Sequence, residues 1–318
     1  MTLSRRFLVF TRPTLALALI SLSAISAWSQ QAAPNQAASE ASEKADPGAV
    51  EAPEYQAGFQ AIYEAWRNAM QSKDFAAWKA ATAAYRQSEI RNRIISQKLS
   101  FPTAMFSVPV TAPQLAQLNL VNIFIKGPTA TAIYFGKLDF GAGPAAAATA
   151  PDSFLVLRYA GEGDAWKFDN MRVIKFGGDS DLLLKMRRGD FSFLQDPEFQ
   201  PTGTVPPVAE KVSTPDYLAE LWVSAIGYEA TVKINDQHES KVVNNTGKDL
   251  VIGGIKKGDN SISITVKPDP KADPATPKLL EVAIYSAAES NQPAERIFHH
   301  RVLPDAIKPT HFETIKVE

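Results

Sequence analysis

Leu118-Asn119-Leu120-Val121-Asn122-Ile123-Phe124-Ile125-Lys126, then Gly127-Pro128, then Thr129-Ala130-Thr131-Ala132-Ile133-Tyr134-Phe135-Gly136-Lys137-Leu138-Asp139-Phe140, is the stretch that decides the fold. Two β-rich runs separated only by Gly-Pro read as a hairpin, because a short Gly-containing break reverses the chain with little strain. A second hairpin follows, Ser153–Ala160 and Ala165–Phe176 around Gly161-Glu162-Gly163-Asp164. Strict alternation along the last strand sets Trp166, Phe168, Asn170, Arg172, Ile174 and Phe176 on one face and Lys167, Asp169, Met171, Val173 and Lys175 on the other.

Upstream, Tyr55, Phe59, Ile62, Tyr63, Trp66, Ala69 and Met70 recur at three- and four-residue spacing, the mark of one helix face. Ser72-Lys73-Asp74 interrupts the pattern, and Asp74 is an N-cap for a second helix carrying Phe75, Trp78, Ala81, Tyr85, Ile90 and Ile94, which ends before Phe101-Pro102. The aromatic stripe reads as core packing against the sheet rather than a ligand cage. Downstream, Ser180 caps a short helix, Asp181–Arg188, closed by Gly189, and Gly141–Asp152 is a low-complexity Ala-rich loop.

Beyond Pro201–Pro215, a Pro-rich interdomain linker, the periodicity changes for good. Tyr217–Ala225, Tyr228–Asn235, Glu239–Val243, Lys248–Ile252, Asn260–Lys267, Leu279–Ser286, Ala294–Val302 and Thr310–Val317 are short β-type runs between Gly, Pro, Asn and Asp turns. The expected architecture is therefore α+β: an N-terminal helical pair packed on a curved antiparallel sheet over residues 54–200, a linker over 201–216, and an all-β sandwich over 217–318.

Ahead of these blocks, Arg5, Arg6 and Arg12 precede the apolar run Leu15–Leu22, and Ala27-Trp28-Ser29 offers small residues for cleavage. Residues 1–29 read as a signal peptide, with Ser4-Arg5-Arg6-Phe7-Leu8-Val9 resembling a twin-arginine motif, and residues 30–53 as a disordered tether. The expected location is exported, periplasmic or extracellular in a bacterium, with no transmembrane segment once the leader is removed. The chain of 318 residues has no cysteine, which excludes disulfides, thiolate catalysis and cysteine-ligated metals. A net charge of −1 without a basic aromatic-interleaved run excludes a nucleic-acid footprint.

Residues 54–176 resemble the nuclear transport factor 2-like superfamily, a cone-shaped α+β fold. The resemblance rests on the helix break Ser72-Lys73-Asp74-Phe75, the strand pair around Lys126-Gly127-Pro128-Thr129-Ala130-Thr131-Ala132, and the closing hairpin Gly163-Asp164-Ala165-Trp166-Lys167-Phe168. It implies a sheet wrapped around a pocket, and a sheet surface used for homodimerisation. The helical region running to about Leu99 departs from the pattern, and Ala112–Leu118 is the candidate third helix. The second half, through Val232-Lys233-Ile234-Asn235-Asp236 and Ile255–Ile264, resembles a carbohydrate-binding-type jelly roll or an immunoglobulin-like sandwich.

The four histidines, His238, His299, His300 and His311, all lie in the second half, so the first has none of the side chains that titrate near neutral pH. Adjacent His299 and His300 diverge to opposite faces of a strand, so no metal site, cofactor or catalytic residue is assigned. Arg172 and Asn170, sharing an apolar face with Trp166, and Tyr134 on the first hairpin are the candidate ligand-binding residues, suited to an acidic or amphipathic small molecule in the cone. Arg172 on that face needs an internal carboxylate or an anionic ligand, unless its face meets solvent. Exposed Trp or Tyr on the sandwich would mark a surface for an envelope glycan or protein. Of the available rings, Trp222 within Leu221-Trp222-Val223 is expected in the core. The functional expectation is a non-catalytic exported binding protein, the alternative a hydrolase or lyase using the cone with the sandwich as accessory.

Overall fold

The computed structural model describes residues 48–107, 112–139, 150–175, 180–273, 275–302 and 307–318. The leader, most of the expected tether, most of the Ala-rich loop and Phe176 at the end of the second hairpin lie outside them. The fold is α+β and mostly antiparallel sheet, divided into two compact units. One gathers the described residues up to Ile94 with Ser100–Lys211, the other Ile95–Leu99 with Val212–Glu318.

The first unit is a five-stranded sheet in sequential order: β1 (Val50–Glu51), β2 (Asn119–Lys126), β3 (Thr129–Lys137), β4 (Asp152–Glu162) and β5 (Ala165–Lys175). The two hairpins stand where the turn residues place them, with Gly127 and Gly163 at positive φ, which glycine adopts without a Cβ clash. β1 corrects the tether expectation, since Val50 pairs with Ile125 and the chain is structured before Pro53.

Helix α1 (Gln56–Ser72) buries Phe59, Tyr63, Trp66, Ala69 and Met70, the face its spacing specifies. It stops at Lys73 in the left-handed region, and Asp74 accepts the Ala77 N–H at 2.9 Å to cap α2 (Phe75–Ala81). The second helix is not continuous. Thr82 turns extended and bridges Phe168 on β5, the Ala83 N–H bonds the Phe168 carbonyl at 2.8 Å, and α3 (Ala84–Ser96) then restarts with Glu162 accepting its Ala84 N–H at 2.6 Å. An open sheet edge offers unpaired backbone groups, and residues 82–83 take them at the expense of two helical bonds. The candidate third helix is a single 3-10 turn, Leu115–Gln117.

The sheet face opposite α1 is not bare. Phe124, Ile133, Phe154 and Val156 form one buried cluster with Leu194 and Phe199, and α4 (Ser180–Arg187) adds Leu182, Leu183 and Met186. Residues 199–210 belong to the same layer. Thr131 Oγ1 donates to the Phe199 carbonyl, Gly203 N–H to Thr129 Oγ1, and Asn92 Nδ2 to the Glu210 carbonyl, while Val205 packs on Ala83, Tyr85 and Ala160.

In the second unit all eight β-type runs are strands: β6 (Leu218–Ile226), β7 (Tyr228–Ile234), β8 (His238–Val243), β9 (Thr246–Leu250), β10 (Gly258–Pro268), β11 (Leu279–Ala287), β12 (Glu295–Val302) and β13 (Thr310–Val317). They make two four-stranded sheets, β12-β11-β6-β9 and β13-β10-β7-β8. A single aliphatic cluster gathers alternate residues of both, Leu221 and Val223 with Val232, Ile234, Ile262, Ile264, Val282 and Ile284. The last turn of α3 is counted in this unit. The wholly buried Ser96 Oγ accepts the Gly253 N–H at 2.8 Å, and Lys98 Nζ reaches Glu289 Oε1 at 2.8 Å.

Candidate functional site

The four residues singled out in the sequence fall on two different faces of the first sheet. Along β5 the register shifts: Phe168 pairs with Tyr159 and Asn170 with Arg158, leaving Asp169 without a partner of its own. This bulge corrects the alternation read from the sequence, because one extra residue inverts every side chain beyond it. Trp166 and Phe168 therefore face α1, whereas Asn170, Arg172 and Ile174 face away from it.

The α1 face is packed with rings. Phe59 stacks on Tyr159 at 4.3 Å, Trp66 lies 4.4 Å from Phe168, and Trp166 meets Phe59 edge-on at 5.3 Å. Tyr159 Oη donates to the Phe59 carbonyl and Tyr63 Oη to the Pro113 carbonyl. Tyr134 lies here too, 2% exposed, and its hydroxyl has no hydrogen-bond partner among the described residues. Burial, helped by the charge of Glu64, pushes the Tyr134 phenol up to about 12, and burial raises Tyr63 and Tyr159 further. Glu64 is a third exposed and paired with Arg67 at 3.3 Å. Trp166 also lines a hollow of about 460 Å³ at the hairpin turns, with Gly127, Pro128, Gly161 and Asp164.

On the opposite face Arg172 NH2 meets Glu198 Oε1 at 2.6 Å, the internal carboxylate that the sequence left open. Beside it, Arg86 Nε binds Asp169 Oδ1 at 2.8 Å and Arg86 NH1 binds Glu89 at 2.6 Å. Burial opposes the Arg86 charge, but Asp169 and Glu89 more than offset it and raise its proton affinity. Arg158, on β4 opposite Asn170, belongs to this group and was not singled out from sequence, where a lone arginine in an apolar strand carries no signal.

The second unit turns a polar aromatic face outward. Trp222, expected in the core, lies on the outer face of β6, because Leu221 and Val223 take the inward positions. Its ring centroid is 5.3 Å from Tyr285 on β11, and Lys248 Nζ lies 3.6 Å from it. Trp222 Nε1 donates to Glu220 Oε1. Ser224 and Thr246 hydroxyls bond at 2.9 Å, and His299 Nε2 meets Glu281 Oε1 at 2.8 Å on the neighbouring strands. The expected divergence of His299 and His300 holds: His300 points inward and meets His311 of β13 at 4.6 Å between ring centroids, with Nε2 of both rings buried and unbonded among the described residues. Burial lowers the His300 proton affinity and His311 lowers it further, against Glu313, which raises it. Among the described residues no group of three or more His, Asp or Glu is arranged to hold a metal ion, and no helix is long and apolar enough to cross a membrane. No family model, curated protein or solved structure matches the chain.

Proposed function

We propose that the chain is an exported, non-catalytic two-domain protein: a cone-like α+β domain whose interior is filled by rings, and a β-sandwich interaction module that binds an envelope polysaccharide. The observation that carries this reading is the Trp222–Tyr285 pair on an outward sheet face. The two rings, tilted 52° to each other, offer apolar surface to the C–H side of a sugar beside the Trp222 face that Lys248 covers, while Lys248, Glu220, Glu281, His299 and the Ser224–Thr246 hydroxyls supply donors and acceptors for sugar hydroxyls. Half-exposed Trp and Tyr with a charged rim is also the composition of binding hot spots. Export is supported by the basic and apolar leader of residues 1–29 and by the complete absence of cysteine. The interior of the first domain, stacked with Phe59, Tyr159, Trp66 and Phe168, favours a scaffold over an enzyme.

The test is binding of the full chain to a panel of soluble bacterial polysaccharides by affinity electrophoresis. Retardation by at least one member is expected, weakened by more than about tenfold in Trp222→Ala and in Tyr285→Ala. A chain that no polysaccharide retards, or variants retarded like the wild type, would sink the reading.

A further inference from the structure

Arg158 and Arg172 stand on neighbouring strands and on the same sheet face: Arg158 faces Asn170 across the β4–β5 pair, and Arg172 faces Val156 two residues along. The carboxylates around them are already engaged. Asp169 Oδ1 takes Arg86 Nε at 2.8 Å and Asp169 Oδ2 takes Asn170 Nδ2 at 2.9 Å, Glu89 takes Arg86, and Glu198 takes Arg172 at 2.6 Å. What remains for Arg158 is one neutral acceptor, the Glu198 carbonyl, at 3.2 Å from its NH2. Among the described residues no carboxylate pairs with it. Burial depresses its proton affinity; Asp169 and Tyr85 oppose that, while Arg172 and Arg86 reinforce it.

Arg158 feels Asp169 only through space and makes no direct carboxylate contact, while two other guanidiniums stand beside it, so an anion that bonded it directly would relieve a costly arrangement. Among the described residues its four remaining N–H groups meet no acceptor, and the geometry of a guanidinium suits two oxygens of one anion. Glu198 shows what fits. Its carbonyl meets Arg158 and its carboxylate meets Arg172, so one residue spans both cations, and that carboxylate is 43% exposed.

We propose that Arg158 and Arg172, with the Asn170 amide between them and Asp169, form a binding site for a small phosphate-type oxyanion, for which the Glu198 carboxylate is the built-in competitor. The site lies on the first unit and is independent of the polysaccharide reading, so either can fail without the other. Its chemistry is charge-assisted hydrogen bonding with no covalent step.

The experiment is thermal unfolding of the full chain in inorganic phosphate against chloride at equal ionic strength, with affinity taken from the phosphate dependence. Phosphate should raise the unfolding midpoint where chloride does not. Arg158→Met should fold, since an apolar side chain replaces an unpaired cation, and should weaken phosphate binding by about tenfold or more. Glu198→Gln, a near-isosteric change of a side chain 43% exposed, should tighten it. A midpoint indifferent to phosphate in the wild type, equal affinity in Arg158→Met, or no tightening in Glu198→Gln would each overturn the proposal.

Discussion

The two units solve the same burial problem with different side chains. In the first, a helix packs on a sheet and the gap is filled by rings: Phe59, Tyr63, Trp66, Tyr159 and Phe168 touch one another in a continuous stack. In the second, two sheets share a cluster of Val, Ile, Leu and Ala from alternate strand positions. A helix surface is curved and needs long side chains to reach a sheet, whereas β-branched residues suit the pleated strand surface. The consequence for function lies in where polar chemistry is left over. The ring-filled unit buries its phenols and gathers its charges on the opposite face. The aliphatic unit carries all four histidines of the chain and turns a Trp–Tyr pair outward.

The largest test of that contrast is Phe168→Ala. Phe168 is 1% exposed and touches Tyr63, Trp66 and Tyr159, so truncation should cost about 3–5 kcal/mol. Calorimetry of the full chain should show the first unit's transition falling while the second stays in place; a common shift would mean that the two units unfold as one.

The pH responses should separate the units next. The Tyr134 phenol is raised from 10.0 to about 12 in the folded state, so its contribution is fully present below pH 10 and is lost as pH climbs toward 12, roughly 3 kcal/mol in all. His300 is lowered from 6.5, so the second unit should keep its stability above that pH and lose it as pH falls through the folded value. The first unit has no histidine and lacks this source of acid sensitivity. Unfolding midpoints followed from pH 5 to about pH 12 check both signs, and His300→Phe should flatten the acid limb of the second transition. An acid limb that survives unchanged in that variant would remove the His300–His311 contact as its cause.

The smallest effect is expected at Arg172, where sequence analysis looked first. Its partner Glu198 is 43% exposed, so Arg172→Met leaves the carboxylate in water and should change stability by only about 0–1 kcal/mol. Urea unfolding measures this; a loss of several kcal/mol would mean that Glu198 is held dry, and would bring the two faces of the first sheet closer in character.

Much of the fold was legible because the signals are local. Gly127-Pro128 and Gly163-Asp164 reverse the chain wherever they occur, Asp74 caps the helix three residues before the N–H it accepts, and alternation fixes the eight strands of the second unit. The apolar face of α1 follows from its spacing alone, since a helix's period does not depend on what it packs against. The tertiary structure decided the rest, each time through a partner distant in the chain. The bulge at Asp169 exists only in the pairing with β4, and it parts Trp166 from Asn170 and Arg172. The break at Thr82 depends on the free edge that Phe168 presents, and the charge state around Arg172 on Glu198, 26 residues away. Trp222 faces outward because Leu221 and Val223 fill the shared cluster, and His300 meets His311 only where two edge strands come together. Local residues set which segments are helix or strand, because backbone geometry and periodicity act over a few residues; which face meets what is set by long-range pairing, and the candidate sites of this protein are made of faces.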